Sequence, residues 1–231
     1  ILGFLLLSGL FVMITEGAYS DQARLVSLMG FVTWQVADGC MVRIARSFAE
    51  DAQWGTLEQV WLSAAHPSSV VIARSFVNLS LNALKAAVTA IAVLAVFRLS
   101  LSMNWAALWV FLLAQVGVFG MAFAIIGLHL VYKSVESVTL VLSTLLLFVT
   151  GALTPLDSAP RLALVGRFLP LGQGVAMLQD MVVTPISVLD LLAQPQFYWL
   201  LVHTGGYLAI GWLVFMWGQG AAQERGALGH Y

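Results

Sequence analysis

Apolar residues run along this chain in stretches of up to about 30 positions, broken by short polar clusters. The runs are too long for strands and lack the period-2 alternation of a membrane β-barrel. A helix needs about 20 mostly apolar residues to cross the hydrocarbon core of a bilayer. In lipid every backbone N–H and C=O must find a partner within the protein, which also favours helices. The pattern predicts an all-α integral membrane protein with six transmembrane helices at residues 1–14, 25–45, 68–97, 105–131, 137–152 and 197–218. The first is read as the tail of a span whose start is missing. Polar residues 15–24 form a loop. Residues 46–67 form a long connection, 98–104 a short loop and 132–136 a charged turn. Residues 153–195 carry Pro155, Pro160, Pro170, Pro185 and Pro195 between short apolar pieces and are set apart as an irregular region.

Composition strengthens this reading. Of 231 residues, 61% are hydrophobic and 9% charged, against about 25% charged in soluble domains. The formal net charge of −1 provides no field for nucleic acid. The single cysteine, Cys40, excludes an internal disulfide and a cysteine-based zinc site, and no metal site is expected. No basic stretch precedes the first apolar run and no small-residue cleavage site follows it, so a signal peptide is not expected. No 20–50-residue repeat occurs, and residues 1–231 read as a single membrane domain. With the first span running outward, Arg43, Arg46, Arg74, Lys133 and Arg225 fall inside and Arg24, Arg98, Arg161 and Arg167 outside, a weak positive-inside bias. Trp105, Trp109, Trp199, Trp212 and Trp217 lie near span ends, as interfacial tryptophans do.

Within the connection, Trp54, Leu57, Val60, Trp61 and Ala64 recur at helical spacing. Glu50 and Asp51 precede them, where negative charge suits a helix N-terminus, and Pro67 forces His66 out of the helical region. The pattern predicts a short amphipathic helix over 50–65 lying on the membrane surface. By physics alone it is equally a lipid anchor.

This segment carries a family resemblance. Glu50, Gly55, Thr56, Leu57, Glu58 and Gln59, followed by Leu62, Ser63 and Pro67, resemble the E-x(4)-GT-L-E motif of type-2 ATP-binding-cassette (ABC) permeases, with Ala65 and His66 standing where Ser-Pro is usual. Downstream, Phe148, Val149, Thr150 and Gly151, then Pro155, Pro160 and Arg167 to Pro170, resemble the family's second stretch, with Thr150 for Ser and Leu169 for Asn. The resemblance implies that 50–65 is a cytoplasmic coupling helix whose Glu50, Asp51, Trp54, Gly55, Thr56, Leu57, Glu58 and Gln59 meet an ATPase subunit. It implies that 153–195 forms outer re-entrant helices, with Phe148, Thr150, Gly151, Pro155, Pro160 and Pro170 at an outer gate. It further implies two copies of an ABC ATPase carrying ATP and Mg, no cofactor on this chain, a second copy or homologous permease as partner, contact with membrane lipid, and a plasma-membrane (inner-membrane) location. The chain holds no phosphate-binding loop, and no Gly-Lys pair occurs in it.

In the third span, Arg74, Asn78, Asn82, Lys85 and Thr89 follow one another by three or four residues and share a helix face. Charges in mid-bilayer cost at least about 2.5–3.5 kcal/mol, so this stripe faces protein or water. It either lines a substrate path together with Asp38, or forms an interhelical polar seam. Asp38 sits about 10 Å from the inner end of the second span and Arg74 about 9 Å into the third, against about 25 Å for Lys85, which predicts an Asp38–Arg74 pair. Gly117, Gly120, Ala124 and Gly127 predict a close helix contact. His129 and His203 read as structural, and the Asn78-Leu79-Ser80 sequon is disregarded because it lies inside a span. The function this supports is the permease of an ATP-driven exporter. Two alternatives stand beside it. One is a haem-handling permease, with His203 as its only support. The other is an intramembrane enzyme using Asp38, His129, Asp180 or His203, although neither HExxH nor G-x-S-x-G is present.

Overall fold

A computed structural model of the chain describes residues 20–54, 67–101, 104–132, 135–150 and 160–224. Eight helices follow in order: α1 (Asp21–Gln53), α2 (Pro67–Phe97), α3 (Trp105–Val131), α4 (Glu136–Val149), α5 (Pro160–Gly166), α6 (Pro170–Val183), α7 (Val188–Ala193) and α8 (Pro195–Glu224). Among the described residues there is no strand. Among the described residues, four helices are long and apolar enough to cross a membrane: α1 over Asp21–Ile44, α2 over Ser69–Phe97, α3 and α8. The expected first span, 1–14, lies outside the described residues. The expected fifth span forms α4, whose 14 residues span about 21 Å, shorter than the roughly 30 Å hydrocarbon core.

The helix ends follow local chemistry. The Ser20 hydroxyl accepts the Ala23 N–H at 3.2 Å, and Asp21 sits in the first turn of α1. The helix therefore begins inside the expected 15–24 loop. It also runs past Ala45 to Gln53, where a connection was expected, because 45–53 holds Ala, Arg, Glu and Gln with no Gly or Pro to stop it. At α3, the Asn104 side chain accepts the Ala107 N–H at 3.0 Å and donates to the Ile186 carbonyl, tying the cap to the loop before α7. Prolines start α2, α5, α6 and α8, where a missing N–H costs no helical bond. At α7, Ser187 and Asp190 form a reciprocal capping box, and these bonds hold the exposed Asp190 carboxyl below its ordinary value.

The packing is inside-out relative to a soluble bundle. On α2, Ile72, Phe76, Leu84, Val88, Ile91 and Val96 are exposed, while Ser75, Asn82 and Thr89 are each only 5% exposed. In water that polarity would place apolar surface against solvent; in a bilayer it faces lipid tails and hides the polar groups. The described residues are thus all-helical, with four helices suited to a membrane.

Central α3 packs on α1, α6 and α8. It meets α8 in parallel, as the paired residues rise together along both helices: Gly120 meets Gly211, and Gly127 meets Gly218. A Cβ on Gly211 would lie 2.6 Å from the Gly120 carbonyl carbon, and one on Gly218 would lie 2.7 Å from that of Gly127. Of the small residues expected to make a close contact, Gly120 and Gly127 meet α8, and Gly117 meets both Pro170 of α6 and Thr204 of α8. Beside the glycines, Phe123 meets Trp212 edge-on at 5.8 Å between ring centroids. The buried core around α3 joins Met41 and Ile44 of α1, Ile126, Leu146 of α4, Leu171 of α6 and Phe215 of α8.

Candidate functional site

α1 and α2 run antiparallel: Asp51 of α1 meets Arg74 early in α2, and Gly39 meets Asn82 farther along. Gly39 is what permits the second approach, because a Cβ there would sit 2.5 Å from Asn82 Cγ. Between the helices lies a cavity of about 640 Å3. Gln35, Asp38, Gly39, Val42, Arg43, Arg46, Ser47 and Glu50 line it from α1, and Asn78, Asn82 and Lys85 from α2. The α1 lining steps by three and four residues, one helical face. It extends about 22 Å along the axis from Gln35 to Glu50.

The expected stripe is divided by this arrangement. Asn78, Asn82 and Lys85 line the cavity together with Asp38, whereas Arg74 and Thr89 do not. The side-chain amides are anchored on their own helix. Asn78 Nδ2 donates to the Arg74 carbonyl at 3.0 Å and Asn82 Nδ2 to that of Asn78 at 2.8 Å, while Thr89 Oγ1 donates to the Lys85 carbonyl at 3.0 Å. Such bonds fix the rotamers of these side chains. Lys85 is exposed beside the exposed Leu81, Leu84 and Val88.

The Asp38–Arg74 pair is not formed. Arg74 pairs with Asp51, and Asp38 accepts the Ser143 hydroxyl from α4. The depth argument failed because α1 ends at Gln53 and not at Ala45. Measured from Gln53, Asp38 lies about 22 Å in, level with Lys85 at about 27 Å from Pro67. Glu50 and Asp51 likewise sit in the last turn of α1, not at the start of a separate helix. A carboxylate there opposes the helix dipole, which the Arg74 guanidinium offsets. Trp54 follows in a turn and is 80% exposed. Gly55, Thr56, Leu57, Glu58 and Gln59 lie outside the described residues, as do Gly151 and Pro155. The Asp51–Arg74 pair is half-buried, so a double-mutant cycle with Asp51→Asn and Arg74→Gln should return a coupling of about 1 kcal/mol that weakens in high salt. Zero coupling in thermal unfolding at low salt would show that the pair contributes nothing.

Of the expected gate residues, Thr150 is fully buried and closes α4, and Pro170 opens α6 against Gly117. Phe148 is 41% exposed and faces away from the core. Pro160 starts α5. A residue that sequence reasoning missed, Gln179, joins this region to the bundle: its Nε2 donates to the Val26 carbonyl at 3.1 Å and the Thr150 carbonyl at 3.2 Å. Trp34 was also missed; its indole N–H donates to the Ser143 carbonyl at 3.0 Å, fixing the α4 turn that holds Asp38. The visible signal for both was a hydrogen-bonding side chain on an otherwise apolar face.

A second cavity of about 700 Å3, lined by Met177, Asp180, Thr184, Gln194 and Gln196 among others, lies between the end of α6 and the start of α8. Asp38 and Asp180 thus line different cavities. His129 is buried in α3, and His203 of α8 meets Trp199 edge-on with ring centroids 4.4 Å apart. Against known proteins, the chain matches no family model, no curated protein and no solved structure.

Proposed function

We propose that this chain is the membrane-spanning permease subunit of an ATP-driven exporter. It would have six spans, a coupling helix in the part of 50–65 that follows α1, and re-entrant helices within 153–195. The observation that carries the reading is the polar cavity between two lipid-embedded helices, whose charged end leads directly into the Glu50 to Pro67 segment. A bilayer helix does not bury Asn82, half-bury Asp38 or hold Lys85 at a lipid boundary without use for them. The connection between the same two helices carries the residues that resemble an ATPase-docking motif. Force applied there acts on α1 and α2 together and changes the width of the cavity between them. A two-state element biased by a distant ligand works in this way. The ATPases, ATP and Mg belong to partner chains, the pathway is completed by a second permease, and the location is the plasma membrane.

The test is copurification from membranes followed by a coupling assay in proteoliposomes. A stand-alone ATPase should accompany the chain. Glu58→Ala should leave ATPase binding to within a few-fold and lower transport per ATP about tenfold, a loss near 1.4 kcal/mol of coupling. Wild-type transport per ATP in Glu58→Ala and Gly55→Leu together would remove the docking role. Absence of any ATPase partner would remove the exporter.

A further inference from the structure

The cavity between α1 and α2 has a charge inventory that narrows what it takes, and the inference below rests on its being a transport path. Arg43, Arg46 and Lys85 supply three cationic groups; Asp38 and Glu50 supply two carboxylates. The balance is one positive charge. One Asp38 oxygen already accepts the Ser143 hydroxyl. Among the described residues, none of Arg43, Arg46, Lys85 and Glu50 is in an ion pair. Asn78 and Asn82 each place one amide N–H on a backbone carbonyl and carry no charge. The charged groups free to bind an anion are therefore Arg43, Arg46 and Lys85.

Their placement makes them converge. Helical side chains lean toward their own N-terminus. Because α1 and α2 are antiparallel, Arg43 leans toward the level of Gly39 and Asn82, and Lys85 leans toward the same level from the opposite side. Their Cα atoms are separated along the axis by about 10 Å, a gap that two long side chains and one phosphate close. Lys85 also stands where the cavity meets the lipid face, between the exposed Leu81, Leu84 and Val88. A lone ammonium at such a boundary is costly; a ligand anion there would neutralise it, and a hydrocarbon tail on that anion would run out along α2.

We propose that this cavity seats the head group of a singly charged phosphodiester amphiphile, held by Lys85, Arg43 and Arg46, with its acyl chain leaving between α1 and α2 onto the lipid-facing surface of α2. A monoanionic phosphodiester matches the net charge; a head group with several negative charges would be repelled by Asp38 and Glu50.

Native mass spectrometry of the purified permease in neutral detergent tests this. The probes are lysophosphatidylglycerol, an uncharged alkyl glucoside and inorganic phosphate. Lysophosphatidylglycerol should be retained about tenfold better than the glucoside, and Lys85→Gln and Arg43→Gln should each lower retention about tenfold, the effect of one charge-assisted hydrogen bond. Arg98→Gln, outside the cavity, should leave it unchanged. Lys85 and Arg43 are both exposed, so these variants fold, and unchanged thermal midpoints confirm it. Inorganic phosphate displacing the lipid at equal concentration would show a free-anion site and overturn the amphiphile. Retention indifferent to Lys85 and Arg43 would show surface lipid only and overturn the site. Binding without any ATPase partner would refute the exporter alone; an ATPase partner without binding would refute this proposal alone.

Discussion

Gly211→Ala will loosen the contact between α3 and α8, whereas Gly206→Ala, five residues earlier on the same helix, will not. The substitution is the same, a single methyl group in a membrane helix, and both gain the helix propensity of alanine over glycine, about 1 kcal/mol. The difference is what the methyl meets. At Gly206 there is nothing within 4 Å; at Gly211 it would fall 2.6 Å from the carbonyl carbon of Gly120 and 2.9 Å from its Cα. Those are backbone atoms of a central helix, and no side chain can turn away to make room. Overpacking of this kind costs about 1–3 kcal/mol even where side chains yield, so the contact outweighs the propensity gain. The measurement is the thermal midpoint of the detergent-solubilised protein by fluorescence-detected size-exclusion chromatography. Gly206→Ala should match or exceed wild type, while Gly211→Ala should fall by several degrees, in line with a loss of about 2 kcal/mol. Gly218→Ala, aimed at Gly127, should repeat the loss. Equal midpoints for Gly206→Ala and Gly211→Ala would mean that α3 and α8 do not pack through their glycines.

The contrast also marks what the sequence can reveal. Glycines at spacings of three and seven on α3 declared a close contact because only a missing side chain explains them on an otherwise bulky face. The partner was not legible. Gly205, Gly206, Gly211, Gly218 and Gly220 all lie on α8, and only packing separates Gly211 and Gly218 from the rest. Long apolar runs fixed α2 and α3 nearly to the residue, since a bilayer imposes their length. The end of α1 was misplaced because leaving the hydrocarbon does not by itself end a helix, and neither Gly nor Pro occurs between Ala45 and Gly55 to do so. That one error carried into the site. It put Asp38 at the wrong depth, paired it with the wrong arginine, and hid the α1 face from Gln35 to Glu50 as half span and half loop. The α2 stripe was legible from its own period, but its division into cavity-lining Asn78, Asn82 and Lys85 and the remaining Arg74 and Thr89 depends on where α1 lies, which no periodicity within α2 records.

That register can be tested at its tightest point. Gly39→Ala should destabilise the protein, and Asn82→Ala should restore it. A methyl on Gly39 would sit 2.5 Å from Asn82 Cγ and 3.0 Å from Nδ2. The obstacle is a side chain, not backbone, and can be deleted. Asn82→Ala alone removes the 2.8 Å bond to the Asn78 carbonyl; side-chain hydrogen bonds in membrane helices average about 0.6 kcal/mol, a modest loss. Gly39→Ala alone meets a buried amide held by that bond, and relief requires breaking the bond and moving the helix, about 2 kcal/mol by overpacking. The double variant replaces the amide by a methyl of its own and leaves room for both, so its midpoint should lie near that of Asn82→Ala. The cycle then shows an interaction of about 1–2 kcal/mol favouring the pair, which only residues in contact display. Strict additivity would place Gly39 and Asn82 apart, and with them the antiparallel register that brings Lys85 level with Asp38 and gathers the cations of α1 and α2 into one cavity.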